Sequence, residues 1–249
     1  MKHTYGLIGH PLGHSFSKAF FTEKFQTEGI EAEYLNFDLP DIVAFATVIQ
    51  HYPSLRGLNV TLPYKQQVMP FMDELSEEAR SIGAVNVIKV THDGNRTRLK
   101  GYNSDVIGFI NSIRPLLRPH HQKALVLGTG GASRAIVYGL HRLGLETCYV
   151  SRSPREGMIS YSDIDRHVID QYPVIVNCSP CGMYPHVEEC PLLPYESFGP
   201  NNVLYDLVYN PLETLFLRKG KAQGATVKNG LEMLHLQALA SWDFWNSND

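Results

Sequence analysis

The sequence predicts an α/β protein with two domains, and two observations carry this prediction. Short apolar runs alternate with helix-length amphipathic segments along most of the 249 residues, which is the pattern of parallel βαβ units. The alternation stops at a polar stretch with two prolines, residues 114–121, and then restarts. We therefore expect one α/β domain over residues 1–114 and a second over residues 115–230, followed by a long terminal helix.

The elements of the first domain follow from periodicity. Strands are predicted at 3–8, 33–37 and 57–60, helices at 16–27, 42–49 and 105–113, and a further helical stretch from Pro63. Gly29 ends the first helix. The runs 84–90 and 97–100 flank the turn residues His92, Asp93, Gly94 and Asn95, which predicts a hairpin.

The second half repeats the strand and helix alternation. Strands are predicted at 123–127, 147–151, 174–177, 203–207 and 226–228, and helices at 131–143 and 231–245.

Composition excludes several classes of protein. A net charge of -3 lacks the basic excess of a duplex-binding module, and 43% hydrophobic residues is too many for a disordered chain. No run approaches the roughly 20 apolar residues that span a bilayer, and the N-terminus does not resemble a signal peptide. We expect a cytoplasmic protein that binds neither nucleic acid nor membrane.

The four cysteines lie in the second half of the chain. Cys178 and Cys181 have the spacing of a redox motif or of one half of a zinc site, but no second pair accompanies them. The eleven histidines show no metal-ligand spacing. We expect reduced thiols and no metal site.

A strand that runs into glycines predicts a dinucleotide site. The turn after residue 127 consists of Gly128, Thr129, Gly130, Gly131 and Ala132. Gly128 suits a tight turn, and Gly130 lets the backbone approach a pyrophosphate at the positive end of the next helix. Ser133 stands where this pattern has a third Gly or Ala. The alternative is a glycine turn without a ligand.

The end of the following strand favours NADP over NAD. An NAD site usually has Asp or Glu there, whereas this chain has Ser151, Arg152, Ser153 and Arg155, with no carboxylate before Glu156. Arginine forks and hydroxyls suit a 2′-phosphate. In the alternative interpretation the two arginines are solvated loop charges.

Polar residues also mark the strand ends of the first half. Asn59, Thr61 and Lys65 follow one another at one strand end, Asn86 lies at another, and Asp105 opens a predicted helix. Singly, these are plausible as a surface charge, turn residues and an N-cap. Together, at strand ends that face a dinucleotide domain, they favour a site for a polyhydroxylated substrate.

Taken in order, these blocks resemble the shikimate dehydrogenase family. The matching segments are residues 6–9, 14–17, 57–65, 82–86, 101–105, 126–135, 177–183, 206–214 and 230–237. They cover nearly the whole chain, so the likeness is specific to the family rather than to the fold.

The resemblance implies a role for each matching residue. Lys65 and Asp105 would be the catalytic pair. Ser15 and Ser17 would bind the carboxylate of shikimate. Its ring hydroxyls would be bound by Thr61, Asn86 and Gln237, helped by Asn59, Ser104 and Tyr209. NADP would lie on residues 128–132 and 151–155, with its nicotinamide near Leu207, Gly230 and Met233.

The resemblance also implies an architecture and a reaction. Because Gln237 lies on the terminal helix, residues 231–249 would return to the N-terminal substrate domain, leaving 115–230 as a Rossmann-type NADP-binding domain. The reaction would be the reversible NADPH-dependent reduction of 3-dehydroshikimate to shikimate, on the way to chorismate and aromatic amino acids. Two alternatives stay open: a quinate/shikimate dehydrogenase that accepts NAD, and a non-catalytic regulator that binds nucleotide or polyol. A monomer and a homodimer are both compatible with the sequence.

Overall fold

The chain forms two compact units. The structure is a computed structural model that describes residues 2–13, 15–94 and 96–247. Unit 1 comprises Met1–Ser104 with Ala238–Asp249, and unit 2 comprises Asp105–Gln237. Two residues of the sequence motifs, His14 and Asn95, lie outside the described residues. Within the described ranges, no helix is long and apolar enough to cross a membrane.

Unit 1 is built on a mixed sheet of six strands in the order β2-β1-β3-β5-β6-β4. Its strands are β1 His3–Gly9, β2 Ala32–Asp38, β3 Leu55–Val60, β4 Glu74–Leu75, β5 Val87–Asp93 and β6 Arg96–Tyr102. Its helices are α1 Phe16–Thr27, α2 Phe45–His51 and α3 Glu77–Ile82. Strand β1 pairs in parallel with β2 and β3, while β5 and β6 form the predicted antiparallel hairpin.

Both faces of the unit 1 sheet are covered, because successive residues of a strand point to opposite faces. Ile8 belongs to a mainly aliphatic cluster with Leu58 and Val60, whereas Tyr5 belongs to an aromatic cluster. Trp245, from the end of the chain, lies in the aromatic cluster, and its Nε1 donates to the carbonyl oxygen of Ile88 at 3.1 Å. Trp245 is therefore part of the unit 1 core.

The helix predicted from Pro63 is wrong. Residues 62–68 form turns, and only a short 3-10 helix, Met69–Phe71, follows. Pro70 supplies no amide hydrogen and disfavours a helical conformation at Met69, so a helix that began at Pro63 would be interrupted within about two turns.

Unit 2 is built on a sheet of six parallel strands in the order β12-β11-β10-β7-β8-β9. Its strands are β7 Lys123–Leu127, β8 Glu146–Val150, β9 Met158–Ile159, β10 Val174–Asn177, β11 Val203–Asp206 and β12 Thr226–Lys228. Its helices are α4 Asp105–Ile113, α5 Gly131–Arg142, α6 Arg166–Gln171, α7 Leu215–Ala222 and the first part of α8 Leu231–Asn246. The order reverses between β10 and β7, as in the doubly wound Rossmann fold. The predicted fold class is confirmed.

The division into units differs from the expected one by the helix α4. Phe109 and Ile113 of α4 lie in the unit 2 core with Ile136 and Leu140 of α5. Gly139 makes room for this packing, since a Cβ on it would lie 2.9 Å from the Phe109 ring. The chain therefore passes into unit 2 after Ser104 rather than after residue 114, and it returns to unit 1 inside α8 rather than at its start.

Candidate active site

Polar side chains of unit 1 meet where three strands end. The backbone nitrogen of Ser104, just after β6, donates to Asn86 Oδ1 at 2.7 Å, and Asn86 Nδ2 donates to Ser104 Oγ at 3.1 Å. Asn59 Nδ2, on β3, donates to Ser241 Oγ at 2.9 Å. Ser241 Oγ lies 3.2 Å from Ser104 Oγ, which joins the two pairs. The structure thus brings three predicted substrate residues into one hydrogen-bonded group.

Hydrogen bonds hold the main chain around Lys65 beside this group. The backbone nitrogen of Thr61 donates to the carbonyl oxygen of Ile8 at 2.8 Å, and the nitrogen of Val85 donates to the carbonyl oxygen of Lys65 at 2.7 Å. The hydroxyl of buried Tyr64 donates to the carbonyl oxygen of Leu39. Lys65 is half-buried, and its carbonyl oxygen is bonded to Val85, the residue before Asn86, so hydrogen bonds fix this irregular segment beside the group.

The two serines of the opening motif lie on α1. Ser15 caps this helix, its Oγ accepting from the backbone nitrogen of Lys18 at 3.2 Å. Ser17, the second residue of α1, is half-buried. Its contact with the substrate stays a prediction.

An exposed pair fixes the loop that leads to these serines. His10 Nδ1 lies 2.6 Å from Asp38 Oδ1, and the backbone nitrogen of Leu12 donates to Asp38 Oδ2 at 3.2 Å. Both bonds lower the pKa of Asp38, the bond with His10 being the larger cause. The chain between β1 and α1 is thereby tied to the end of β2.

In unit 2, Asp105 is the first residue of α4 and is almost completely buried. One turn later, a Cβ on Gly108 would lie 2.6 Å from the Met233 carbonyl oxygen and 3.1 Å from the Gln237 backbone nitrogen. The first turns of α4 therefore lie directly against the part of α8 that carries Gln237. Lys65 and Asp105 belong to different units, and their pairing stays a prediction.

The glycine turn of unit 2 has the conformation that was expected of a pyrophosphate site. Gly128 has a φ of +98°, and its nitrogen donates to the carbonyl oxygen of Val150 at 3.0 Å. A Cβ on Gly130 or Gly131 would meet nothing within 4 Å, so the backbone at the start of α5 is open. Ser133 fits its position by turning its Oγ back to the carbonyl oxygen of Gly130 at 2.7 Å. These features fit a dinucleotide.

The segment after β8 lies beside the glycine turn, because β8 is the neighbour of β7 in the sheet. Ser151 is half-buried, and its Oγ accepts from the backbone nitrogen of Ser153 at 3.2 Å. Ser153, Arg152 and Arg155 are exposed. A 2′-phosphate at this position would meet the exposed guanidinium groups of Arg152 and Arg155 rather than a carboxylate.

The three residues predicted near the nicotinamide meet in unit 2. A Cβ on Gly230 would overlap the carbonyl group of Leu207, so the absence of a side chain permits this approach. Met233 is buried in the core cluster against which Leu207 packs. Tyr209, two residues beyond Leu207, is 40% exposed, and its role in substrate binding stays a prediction.

A buried carboxyl that sequence reasoning left without a role lies at the ends of β10 and β11. Asp206 Oδ1 accepts from Asn177 Nδ2 and from the Val208 backbone nitrogen, both at 3.0 Å, and Oδ2 accepts from Thr214 Oγ1 at 2.6 Å. Burial raises the pKa of Asp206 to about 6, although these three bonds oppose the shift. The cluster fixes the strand end that leads into Leu207.

The cysteines behave as structural residues. All four are free and half-buried. Burial raises the pKa of the thiols of Cys148, Cys178 and Cys181, which disfavours the reactive thiolate. Among the described residues, no group of three or more His, Cys, Asp or Glu side chains could hold a metal ion.

Comparison with known proteins decides the family. A family model described as the shikimate dehydrogenase substrate binding domain matches residues 7–88. The shikimate dehydrogenase (NADP(+)) of Carboxydothermus hydrogenoformans is 36% identical, over 96% of this chain and 90% of its own. The enzyme of the same name from Desulforamulus reducens is 34% identical, over 96% of this chain and 88% of its own. The chain belongs to the shikimate dehydrogenase family. The predicted family is confirmed.

Solved structures of shikimate dehydrogenases agree with this assignment. The Thermus thermophilus shikimate 5-dehydrogenase in complex with NADP(H) and shikimate is 32% identical, with a TM-score of 0.84 over 98% of this chain and 93% of its own. The Listeria monocytogenes enzyme in complex with shikimate and NAD is 26% identical, with a TM-score of 0.85 over 98% of this chain and 91% of its own.

Proposed function

We propose that this shikimate dehydrogenase catalyses the reversible NADPH-dependent reduction of 3-dehydroshikimate to shikimate. The names of its relatives confirm the predicted enzyme class and cofactor. The observation that carries the substrate assignment is the group of hydrogen-bonded amides and hydroxyls on unit 1, in which Asn86 and Ser104 are buried and Asn59 is half-buried. Donors and acceptors held in place in this way suit the vicinal hydroxyls of a polyol.

The residues of unit 2 fit NADP. The open backbone at Gly130 and Gly131 would hold the pyrophosphate, Arg152 and Arg155 would hold the 2′-phosphate, and the surface around Leu207 would receive the nicotinamide. When bound, NADPH supplies the hydride that reduces the ring ketone.

Lys65 and Asp105 carry the acid–base role in this proposal. Lys65 Nζ donates a proton to the substrate oxygen as negative charge develops on it, and takes the proton back in the direction of shikimate oxidation. Asp105 holds the ammonium group in position. The firm main-chain bonds on both sides of Lys65 support this role, because a general acid must be within hydrogen-bond reach of its target.

The first experiment follows reduced-cofactor absorbance with purified protein, shikimate and NADP. Parallel assays replace NADP by NAD and shikimate by quinate. Turnover that depends on shikimate and NADP supports the proposal. Turnover with neither dinucleotide, from protein whose circular dichroism shows that it is folded, contradicts it and favours a non-catalytic binding role.

The Lys65→Ala variant tests the catalytic pair. We expect kcat to fall by about 10²–10⁴-fold with little change in KM, because proton transfer contributes to the transition state. Lys221→Ala is the matched control, since Lys221 is exposed and pairs with Glu213 at 3.0 Å. A normal kcat in Lys65→Ala would contradict the assignment.

A broader cofactor range is the second candidate. The relative from Listeria monocytogenes that was solved with shikimate and NAD favours it. Against it, no acidic residue precedes Glu156 after β8. Comparable rates with NAD or quinate would keep the mechanism and overturn the specificity. The cytoplasmic location and the choice between monomer and homodimer stay predictions.

A further inference from the structure

Two buried residues outside the predicted site connect its members. The Tyr34 hydroxyl on β2 donates to Asn59, and Ser241 on α8 accepts from Asn59 and lies within hydrogen-bond distance of Ser104. All of these residues belong to unit 1. Tyr34 is 3% exposed and Ser241 is 1% exposed, so neither offers a surface of its own to a ligand.

The Tyr34 hydroxyl has a fixed direction. Its ring stacks on Phe21, with 5.0 Å between centroids and 10° between planes, so the side chain cannot swing. Burial raises the pKa of Tyr34, which keeps the hydroxyl protonated. Because Asn59 Oδ1 can only accept, the single hydroxyl proton of Tyr34 is directed to Asn59.

The nitrogen end of the Asn59 amide is fixed by Ser241. Asn59 Nδ2 donates to Ser241 Oγ at 2.9 Å and approaches the backbone carbonyl oxygen of Asn86 at 3.5 Å. A flipped amide would place two acceptors, Asn59 Oδ1 and the Asn86 oxygen, against each other. Tyr34 and Ser241 together therefore allow Asn59 one orientation.

We propose that Tyr34 and Ser241 are positioning residues for shikimate binding. This assignment rests on the proposed function. Tyr34 holds the oxygen end of the Asn59 amide and Ser241 holds its nitrogen end. Ser241 also holds Ser104 and thereby Asn86. Through the Asn59 amide, the two residues join groups on the ring-hydroxyl side of the site that would otherwise turn independently.

Unit 2 contains a matched pair that serves as the control. Tyr205 Oη lies 2.6 Å from Ser112 Oγ, and both residues are buried. Removing either hydroxyl there breaks a buried side-chain hydrogen bond without touching Ser17, Asn59, Asn86 or Ser104.

The test compares Tyr34→Phe and Ser241→Ala with Tyr205→Phe and Ser112→Ala. Steady-state kinetics are measured with shikimate and NADP, and Tm is measured for each variant. We expect the first two variants to raise the KM for shikimate about tenfold, with kcat within threefold and the KM for NADP unchanged, because binding to ground and transition states weakens equally. The control variants Tyr205→Phe and Ser112→Ala should lower Tm and leave the KM for shikimate unchanged.

Two further variants separate positioning from packing. The double variant Tyr34→Phe with Ser241→Ala should raise KM by less than the product of the single effects, because both residues act on one amide. Ser241→Thr, which keeps a hydroxyl, should restore most of the affinity.

An unchanged KM for shikimate in both folded variants, or an equal rise in the control pair, overturns the assignment. If Tyr34→Phe does not fold, the comparison of Ser241→Ala with Ser241→Thr tests the assignment. We expect Ser241→Ala to fold, because alanine has a high helix propensity. An inactive wild type overturns the proposed function and this assignment with it, whereas an active wild type with unaffected variants overturns the assignment alone.

Discussion

The two sites of the enzyme are built in opposite ways. In unit 1, the side chains of Asn86, Ser104 and Ser241 are buried and bonded to one another. In unit 2, the proposed cofactor contacts are an open backbone at Gly130 and exposed arginines after β8. Donors fixed in advance can discriminate one polyol from another, whereas exposed arginine side chains can adapt to a charged group.

This contrast has a consequence for substitutions. A change inside unit 1 should alter stability and substrate affinity together, because the binding groups are also packing groups. A substitution of Arg152 or Arg155 should alter only the affinity for the cofactor. Unit 2 nevertheless contains a buried polar cluster around Asp206, and the effect of pH on this cluster can be compared with the effects of the substitutions in unit 1.

The largest expected effect is a pH dependence at Asp206. Its pKa is raised from 3.8 to about 6, so the folded state holds the proton more tightly and wild-type stability falls as the pH rises between these values. The Asp206→Asn variant has no carboxyl at this position and should not lose this stability. The free energy of unfolding of the variant minus that of the wild type should rise by about 2.5 kcal/mol from pH 4 to pH 7 in urea titrations.

Asp163 provides a control for which the expected change of stability with pH has the opposite sign. Bonds from Ser160 lower its pKa, so it stabilises the folded state above its unfolded pKa and less at acid pH. The Asp163→Asn variant should therefore lose stability relative to wild type as the pH rises. A difference for Asp206→Asn that does not change with pH would show that the buried carboxyl is not the titrating group.

Gly57→Ala should break the unit 1 packing. A Cβ on Gly57 would overlap the indole of Trp245, which is buried and bonded to Ile88. We expect a loss of about 2 kcal/mol in the free energy of unfolding, a cost typical of overpacking. Gly199→Ala, where a Cβ would meet nothing within 4 Å, should be close to neutral.

The smallest expected effect is on cofactor choice. Arg152→Ala should raise the KM for NADP about tenfold, or about 1.4 kcal/mol, without changing Tm or the KM for NAD. Arg166→Ala, another exposed arginine, provides the control. An equal loss with NAD would show that Arg152 binds a part common to both dinucleotides.

Local patterns predicted most of the fold. The β7 strand, the glycine turn and the start of α4 at Asp105 depend on periodicity and on turn residues within a few positions of each other. The short elements α6 and α7 escaped prediction because one to two turns give little periodicity. The helix expected from Pro63 failed because the second proline of that segment carries more weight than its helix-forming residues.

The substrate network could be predicted only in part. Asn59 and Asn86 stood out as polar residues at strand ends, and Ser104 was implied by the family resemblance. Tyr34, in contrast, has the appearance of an ordinary core aromatic and Ser241 that of a small residue in an apolar helix. Asn59 and Ser241 are 182 positions apart, and no local pattern links them. The tertiary fold alone brings such residues together.

Helix α8, which contributes to both units, constrains the order in which the units can fold during translation. Residues up to Gln237 suffice for unit 2, but unit 1 needs Ser241 and Trp245, which are translated after all of unit 2. The part of the chain that is synthesised first is therefore completed last. Until then, the aromatic cluster around Tyr5 and Phe21 lacks the indole that covers it, and a nascent chain stalled before α8 would present that apolar surface to chaperones.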